Sequence, residues 1–566
     1  MKRHFSLTVV GRLAPVLFLP AMSPLLFAQE DKGVPDESRL VRPGKSDAVQ
    51  AQRDGNVTSA NGMQSIFFNV RDYGAAGDGK SKDTQAVQRT IDACEDRGGG
   101  TVYFPAGVYL SGSLHLKSHV AIHLESGATL RASTNDADFD PYEKLEFRND
   151  SDEETSFFHF SLIWAEDVSN IGITGLGTID SNREGREGPR TIALKRCDRV
   201  TIRDITIRNA GNYCISLLGT DHVNIDGVSV FRSFCDGIDP DCCHHVNISN
   251  CHIESWDDAI VPKASFSLGY ERSTEHLTVA NCVMATNSNG FKLGTESKGD
   301  FRHITVSNCV VTPYTSKTNY RTPGGKPISG IALISADGAR IENITITNIS
   351  MKEVHFPIFM QLSNRGRDSN IPVPGTVGNV TISNVTAQRA KIGCIVDGLP
   401  GHRLHDIHLD NIRINCFGGG IRVTEEREVS EMVGKYPSAN RYEDVPTCGL
   451  FIRHVSGFKL EDFELSMENV DLRHAVICDD AEDLMIDSFN TPGATGGASP
   501  IRFDNVRNSI IRGCRPEGGV NVFLTVSGEH SDAITLTGND FTHIEEVLAR
   551  DDDVPAERVR SEFNLE

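Results

Sequence analysis

The chain is poor in positive charge and has no long apolar run beyond its first residues. It contains 56 Lys and Arg against 77 Asp and Glu among 566 residues, which gives a net charge of -21. Because binding to a phosphate backbone needs a basic surface, this composition argues against a nucleic-acid partner. After residue 30 no uninterrupted apolar stretch reaches the roughly 18 residues that a membrane helix needs, so we expect no membrane span.

Motifs of metal chemistry are absent as well. The sequence has fourteen cysteines but no CxxC pair and no HExxH pattern, so we predict no metal and no cofactor. Cys251, Cys282 and Cys309 occupy the same position in successive repeats, which are described below. This shared position favours a buried ladder of small apolar side chains over disulfides or metal ligands.

The first 28 residues have the pattern of a secretory signal peptide. Basic residues precede an apolar run from Leu13 to Phe27, and Ala28 is a plausible cleavage point. Residues 29–65 are polar and show no apolar period, so we interpret them as a flexible leader. We therefore expect a protein that is secreted or periplasmic.

A short apolar-x-apolar pattern that ends in Asn, Asp or Gly recurs along most of the remaining chain. Copies begin at Val223, Val246, Leu277 and Ile304, at offsets of 23, 31 and 27 residues. Such a period with β-branched alternation is typical of a solenoid whose repeats stack on one another. Further copies begin at Ile344, Val380, Ile407, Phe458, Leu484, Ser509 and Ile534. We predict a monomer with one all-β domain, a single-stranded parallel β-helix over residues 66–549, followed by a charged tail at 550–566.

The chain also predicts segments that depart from the repeat. A helix near residues 84–97, capped by Asp83 or Thr84, would cover the open N-terminal end of the β-helix. Its apolar face would carry Ala86, Val87, Ile91 and Cys94. Because insertions in solenoids often gather on one face, three longer loops are candidate walls of a cleft: Pro313–Ile328, Asn364–Gly378 and Thr424–Pro446.

Three acids recur within the region between Ser233 and Thr295. Asp236 is followed 21 and 22 residues later by Asp257 and Asp258. Residues one coil apart lie side by side at roughly 4.8 Å, so the three carboxylates should be neighbours. Clustered carboxylates raise one another's pKa, as acid and base catalysis of glycoside hydrolysis requires. The alternative is that Asp-Gly and Asp-Asp are only turn residues at solenoid corners.

The order of the motifs CDGIDPDCCHHVNISNC, SWDDAIVPKAS and NGFKLGTES resembles the polygalacturonase family, family 28 of the glycoside hydrolases, across roughly residues 66–490. The resemblance implies a right-handed parallel β-helix that cleaves pectic polysaccharides with inversion. The family's Asn-Thr-Asp motif maps onto Phe234-Cys235-Asp236, and its Asp-Asp pair maps onto Asp257-Asp258. The resemblance thus implies that Asp257 is the general acid, while Asp236 and Asp258 hold and deprotonate the attacking water.

The sequence departs from this family at its basic motifs. The Gly-His-Gly motif falls on Ser288-Asn289-Gly290, and the Arg-Ile-Lys motif falls near Gly330–Ile334, where neither cation remains. Lys263, Asn289 and Lys292 are the predicted substrate-binding residues in their place. Between Lys263 and Lys326 there are eight Lys or Arg and four Asp or Glu, which fits either an anionic glycan or a solvated basic face.

Three functions remain open from the sequence. The first is a secreted inverting glycosidase that acts on a pectin-like or other acidic polysaccharide. The second is a polysaccharide lyase on the same fold, in which Lys263 or Lys292 abstracts a proton and clustered acids bind calcium. The third is a non-catalytic glycan-binding solenoid. Adjacent Asp257 and Asp258, without an obvious Arg base, favour hydrolysis.

Overall fold

The structure, a computed structural model, describes residues 67–314, 325–421, 429–442, 444–516 and 519–565. The predicted signal peptide and leader lie outside the described residues, as do Ile66 and parts of two of the predicted wall loops. Within the described residues, no helix is long and apolar enough to cross a membrane.

The chain winds into a right-handed parallel β-helix, and the predicted fold class is confirmed. Three sheet faces run along its axis. On the first face the strands are Phe67–Asn69, Gly100–Phe104, Val120–Leu124, Ser169–Thr174, Asp198–Arg203, Asp221–Asp226, His244–Ser249, Thr274–Ala280, Asp532–Thr537 and Val559–Glu562. On the second face they are Asp78–Lys82, Gly107–Ser111, Ala128–Ala132, Thr178–Asp180, Thr206–Arg208, Ser229–Ser233, His252–Ser255 and Val283–Thr286.

The third face carries the candidate site and is called the site face. Its strands are Leu114–His115, Ser161–Glu166, Arg190–Lys195, Ile215–Leu218, Ile238–Asp241, Asn289–Leu293, Ser329–Ser335, Phe356–Leu362, Cys394–Asp397, Val522–Ser527 and Glu546–Arg550. Longer strands bend around a corner from one face to the next. They are Phe301–Pro313, Arg340–Lys352, Thr376–Ala390, Leu404–Gly418, Thr447–Asn469, His474–Asp487 and Ile501–Arg512.

The repeat read from the sequence sets the register of the first face. The leading apolar residues of the predicted copies, from Val223 to Ile534, pair with one another in one unbroken ladder. Nearly all of these side chains point into the core, where each large aliphatic side chain contributes about 1.5–3 kcal/mol of burial free energy. The stacked apolar ladder therefore fixes which residues of neighbouring coils lie side by side.

The first helix, α1 (Thr84–Asp96), packs its predicted apolar face onto the first coils, with Ala86, Val87, Ile91 and Cys94 all buried. Its cap differs from the prediction. Asp83 precedes α1, but its carboxylate accepts hydrogen bonds from the amides of Ala76 (2.7 Å) and Gly77 (3.0 Å) instead of capping the helix. Buried Asp83 thus satisfies the backbone of a glycine-containing loop, which has no strand partner of its own.

The predicted end of the β-helix at residue 549 is wrong. Val559–Glu562 forms a strand that pairs in parallel with Asp532–Thr537, and Val559 follows Ile534 in the interior ladder. The pairing continues to Leu565, whose amide donates to the carbonyl of Asn539 (2.8 Å). The charged residues misled the prediction because they lie on the outward positions of this coil, while Val554 and Val559 are its buried apolar residues.

All fourteen cysteines lie in the described part of the chain, and every one is a buried free thiol. Cys251, Cys282 and Cys309 stack on successive coils as predicted. Their thiols donate to the carbonyls of Ser249, Ala280 and Ser307 at 3.2–3.3 Å. We therefore expect all three to resist thiol reagents in the native protein and to react on unfolding. Mass-spectrometric labelling checks this, and rapid native labelling of all three would contradict it.

Candidate active site

Two stacked corners of the β-helix carry the three acids. The first corner joins Ser229–Ser233 to Ile238–Asp241 and contains Asp236. The second corner lies one coil later, where the strand His252–Ser255 ends and the chain bends through residues 256–259. The amide of Gly237 donates to the carbonyl of Asp258 (3.0 Å) across the two corners. Because the chain bends there, both Asp257 and Asp258 face the same side, which an extended strand would not allow.

The backbone amide of Asp258 connects the other two carboxylates. The N–H of Asp258 donates both to Oδ1 of Asp236 (3.1 Å) and to Oδ1 of Asp257 (3.1 Å). All three side chains are buried, with residue exposures of 3–5%. The structure therefore brings Asp236, Asp257 and Asp258 together at one place, as the spacing predicted.

Lys263 forms a buried ion pair with Asp236. Its Nζ donates to Oδ2 of Asp236 (3.1 Å), to Asp239 and to the hydroxyl of Tyr213 (2.9 Å), and it lies 4.0 Å from the centroid of the Tyr213 ring. Burial alone would lower the pKa of Lys263, but the neighbouring charges, led by Asp239, raise it well above its ordinary value. Lys263 is thus held as a cation that fixes Asp236.

Asp239 is a part of this cluster that sequence reasoning treated as a turn residue. Burial raises its pKa well above the ordinary range, and the nearby charge of Asp236 raises it further, against the opposing effect of Lys263. Among the described residues, its buried Oδ2 atom has no hydrogen-bond partner. Alternation along Ile238–Asp241 was the available signal, because it points Asp239 outward beside Ser216 of the preceding strand.

Asp258 is held by the two predicted residues of the next coil. Oδ1 of Asp258 accepts from the amide (3.1 Å) and the side-chain nitrogen (2.6 Å) of Asn289, and Oδ2 accepts from Nζ of Lys292 (2.8 Å). Burial works to raise the pKa of Asp258, but the charge and hydrogen bond of Lys292 outweigh it and lower the pKa far below the ordinary value. Asp258 is therefore ionised across the whole physiological range.

Arg186 completes the cluster and was missed by sequence reasoning. Its Nη1 donates to Oδ2 of Asp257 (2.6 Å), and its Nη2 donates to Glu154 (3.3 Å). Burial opposes the charge of Arg186, yet the surrounding acids raise its pKa. Arg186 comes from the loop after Thr178–Asp180, more than seventy residues before Asp257, so no local motif marks it.

The local excess of basic residues is largely compensated by ion pairs. Of the eight cations between Lys263 and Lys326, six lie in the described part of the chain, and each of these six pairs with a carboxylate. Arg272 pairs with Asp221 and Lys298 pairs with Glu271, away from the three acids. The described residues therefore give the site no surplus of positive charge.

The residues that could hold a metal do not fit calcium well. Cys235, Asp236 and Asp257 bring one ligand atom each within 4.8 Å of one another. Calcium takes six to eight oxygen ligands, whereas this set includes a thiol whose pKa is raised well above its ordinary value by burial. The adjacent cations Arg186 and Lys263 already neutralise the two carboxylates.

Known proteins share this arrangement of coils. Residues 67–322 match the family model described as rhamnogalacturonase A/epimerase, pectate lyase-like. The chain is 22% identical over 374 residues to a probable polygalacturonase of Vitis vinifera, covering 61% of this chain and 73% of the relative. It is 24% identical over 464 residues to an exo-poly-alpha-D-galacturonosidase of Dickeya chrysanthemi, covering 70% and 74%. The chain is thus similar, at 22–24% identity, to proteins named as polygalacturonases.

The solved structures agree on the fold. A family 28 exopolygalacturonase of Yersinia enterocolitica has a TM-score of 0.54 at 18% identity, covering 76% of this chain and 82% of that one. At this identity the likeness concerns the fold alone. The roles of Asp236, Asp257 and Asp258, and of the substrate-binding residues, stay predictions.

In this chain the segment onto which the Arg-Ile-Lys motif of polygalacturonases falls is covered by apolar side chains. Ala332 pairs directly with Lys292 of the preceding coil and belongs to an apolar cluster outside the β-helix, together with Phe359 and Tyr442. A cation at residue 332 would be buried among apolar side chains, which is costly without a partner. The loss of the basic motif thus accompanies an insertion that packs over this strand.

Proposed function

We propose that the protein hydrolyses glycosidic bonds of a pectin-like or other acidic polysaccharide with inversion. Asp257 acts as general acid, while Asp236 and Asp258 hold and deprotonate the attacking water. The observation that supports this most is the amide of Asp258, which donates to the carboxylates of Asp236 and Asp257 and so holds the three acidic residues at one buried corner. Lys263, Asn289 and Lys292 act in substrate binding and in fixing these carboxylates.

The charge states of Asp257 and Asp258 fit different catalytic roles. Asp258 is kept ionised by Lys292, as a general base must be. Asp257 has to carry a proton when substrate is bound, and Arg186 favours its ionised form. The proposal therefore requires Arg186 to turn towards Glu154, its second partner, as the acid takes up its proton.

Ligand oxygens of Asp236 and Asp257 lie within 4.8 Å of each other, which is close for an inverting pair of carboxyl groups. Retaining glycosidases have carboxyl groups about 5–5.5 Å apart, and inverting ones have them about 6.5–9.5 Å apart. Asp236, however, accepts hydrogen bonds on both oxygens, from the amide of Asp258 and from Lys263. A carboxylate with both oxygens engaged in this way is better suited to orienting water than to acting as a nucleophile.

We expect the first product released to have the anomeric configuration opposite to that of the cleaved bond. Inversion results because water attacks directly and no glycosyl-enzyme intermediate forms. Proton NMR of the anomeric region, recorded early in the reaction before the product mutarotates, measures this configuration. Retention of configuration would show that Asp236 or Asp258 acts as a nucleophile and would refute the inverting step.

The lyase alternative is less well supported. A lysine that abstracts a proton needs a lowered pKa, whereas the carboxylates around Lys263 and Lys292 raise the pKa of both. The non-catalytic alternative is also less well supported, because glycan binding alone does not require three acidic residues gathered in a buried corner.

The direct test is a panel of plant and algal polysaccharides, assayed for new reducing ends and for unsaturated ends that absorb ultraviolet light. The proposal predicts reducing ends alone. Unsaturated ends would establish the lyase, and binding without either product would establish the glycan-binding solenoid. The proposal includes export, which rests on the signal-peptide pattern of residues 1–28. Detection of the protein in periplasmic or culture-supernatant fractions tests it.

A further inference from the structure

The acids of the site are almost fully buried. Asp236, Asp257 and Asp258 are 3–5% exposed, although a polysaccharide has to reach them. A groove open at both ends would leave its floor accessible along its length. Three insertions lie beside this part of the site face, and each is anchored to the site face or to another insertion.

The first insertion, residues 133–160, forms a wall on the N-terminal side. It contains α2 (Glu153–Ser156) and was not predicted as a wall. Phe158 packs on the outward residues Ala193 and Leu218 of the two site-face strands that precede Asp239. Arg190, which is 1% exposed, donates to main-chain carbonyls of this insertion, including that of Glu153 (3.1 Å).

The second insertion forms a wall on the C-terminal side, and residues 429–442 of it are described. Met432 and Tyr442 pack on Ala332 and on outward residues of the coils beyond. The hydroxyl of Tyr442 donates to Asp397, and Gln361 donates to that hydroxyl (3.0 Å). This wall begins on the strand directly beside Lys292, because Ala332 is the pairing partner of Lys292.

The third insertion, residues 363–375, extends from the C-terminal side to the first wall. Nη1 of Arg367 donates to Oδ1 of Asp152 (3.0 Å), and the amide of Asp150 donates to Oδ1 of Asp368 (2.7 Å). Arg365 fixes its base through Asp337 (2.9 Å) and the carbonyl of Thr295 (2.8 Å). The contact between Arg367 and Asp152 therefore joins the third insertion to the first wall.

Only a short stretch of the site face lies between the two walls. Three segments of the site face lie between them: Ile238–Asp241, the segment from Ile260 to Lys263, and Asn289–Leu293. Four strand spacings separate the covered strand of Leu218 from that of Ala332, which is roughly 19 Å at ~4.8 Å each. A polymer that ran along the axis through this space would have to pass over both anchored walls.

We infer that the site is a pocket that admits one end of a glycan chain, so that the protein cleaves from chain ends, and that the Arg367–Asp152 bridge helps to enforce this. The inference rests on the proposed function, since it concerns how the same site meets its polymer. Attack on internal bonds requires an open groove, whereas a closed pocket accepts a terminus and releases short products.

The first experiment follows product length and viscosity during hydrolysis of the polymer that the panel identifies. The wild-type protein should release short products of one size from the earliest samples, while viscosity falls little for each reducing end formed. Arg367→Ala should raise the share of long early products severalfold. The matched control is Arg340→Ala, which removes an arginine that pairs with Asp300 (2.7 Å) on the first face. A ladder of long early products from the wild type would overturn the inference.

A second experiment needs no turnover. Asp257→Asn protein is titrated with fractions of one glycan that differ in chain length, and the stoichiometry is measured by calorimetry. A pocket binds a fixed number of proteins per chain at every length, whereas an open groove binds in proportion to length. Stoichiometry that grows with length would overturn the inference while leaving the proposed function standing. Absence of both cleavage and binding across the panel would refute the proposed function, and the chain-end inference with it.

Discussion

Asp257→Asn is expected to lower kcat by about 10²–10⁴-fold with little change in the fold, because general acid catalysis contributes a factor of that size. The side chain keeps its volume and can still accept from Arg186, but it cannot give a proton to the leaving oxygen. Substrate binding should be retained, so KM should change far less than kcat. Steady-state kinetics on a confirmed substrate, together with circular dichroism, measures both effects.

The matched control is Asp532→Asn, the same change at an exposed position of a first-face strand far along the chain from the site. It should leave kcat and KM as in the wild type. Asp258→Asn serves as the companion variant, since it removes the proposed base. If Asp257→Asn and Asp258→Asn both keep wild-type activity, the assignment is wrong and the chemistry lies elsewhere.

The sequence predicts best what the repeat controls. Interior positions such as Val246 and Leu277 recur at coil-length intervals, and their stacking determines register. Asp236 and the Asp257-Asp258 pair are predicted neighbours for the same reason. The last coil was missed because its outward residues are charged and its last strand offers one inward apolar residue, Val559, in place of a full pattern.

Contacts made by insertions could not be predicted in this way. Arg186 reaches Asp257, and Arg367 reaches Asp152, from loops whose paths obey no period. The wall of residues 133–160 escaped notice because it lies before the motifs and has no pattern of its own. The loss of the family's basic motif at Ala332 was visible in the sequence, but its cause was not. The cause is an apolar cover that the chain lays over that strand.

Lys292→Met is expected to destabilise the protein at neutral pH and to move the acid limb of its activity profile to higher pH. In the wild type Lys292 holds the pKa of buried Asp258 below its ordinary value. A lowered carboxyl pKa contributes stability that is present above the unfolded pKa, near 3.9, and is lost as pH falls through the folded pKa. Without Lys292, burial acts unopposed by that charge and raises the pKa of Asp258.

The destabilisation should be about 3–5 kcal/mol at pH 7, the cost of leaving one partner of a buried ion pair uncompensated. It should shrink as pH falls towards 4, since Asp258 is then protonated in the unfolded chain as well. Chemical denaturation at both pH values and a pH profile of kcat/KM measure these effects, with Lys352→Met, an exposed position on Arg340–Lys352, as the control. An equal loss of stability at both pH values with an unmoved acid limb would show that Lys292 acts by packing alone and that its charge does not set the ionisation of Asp258.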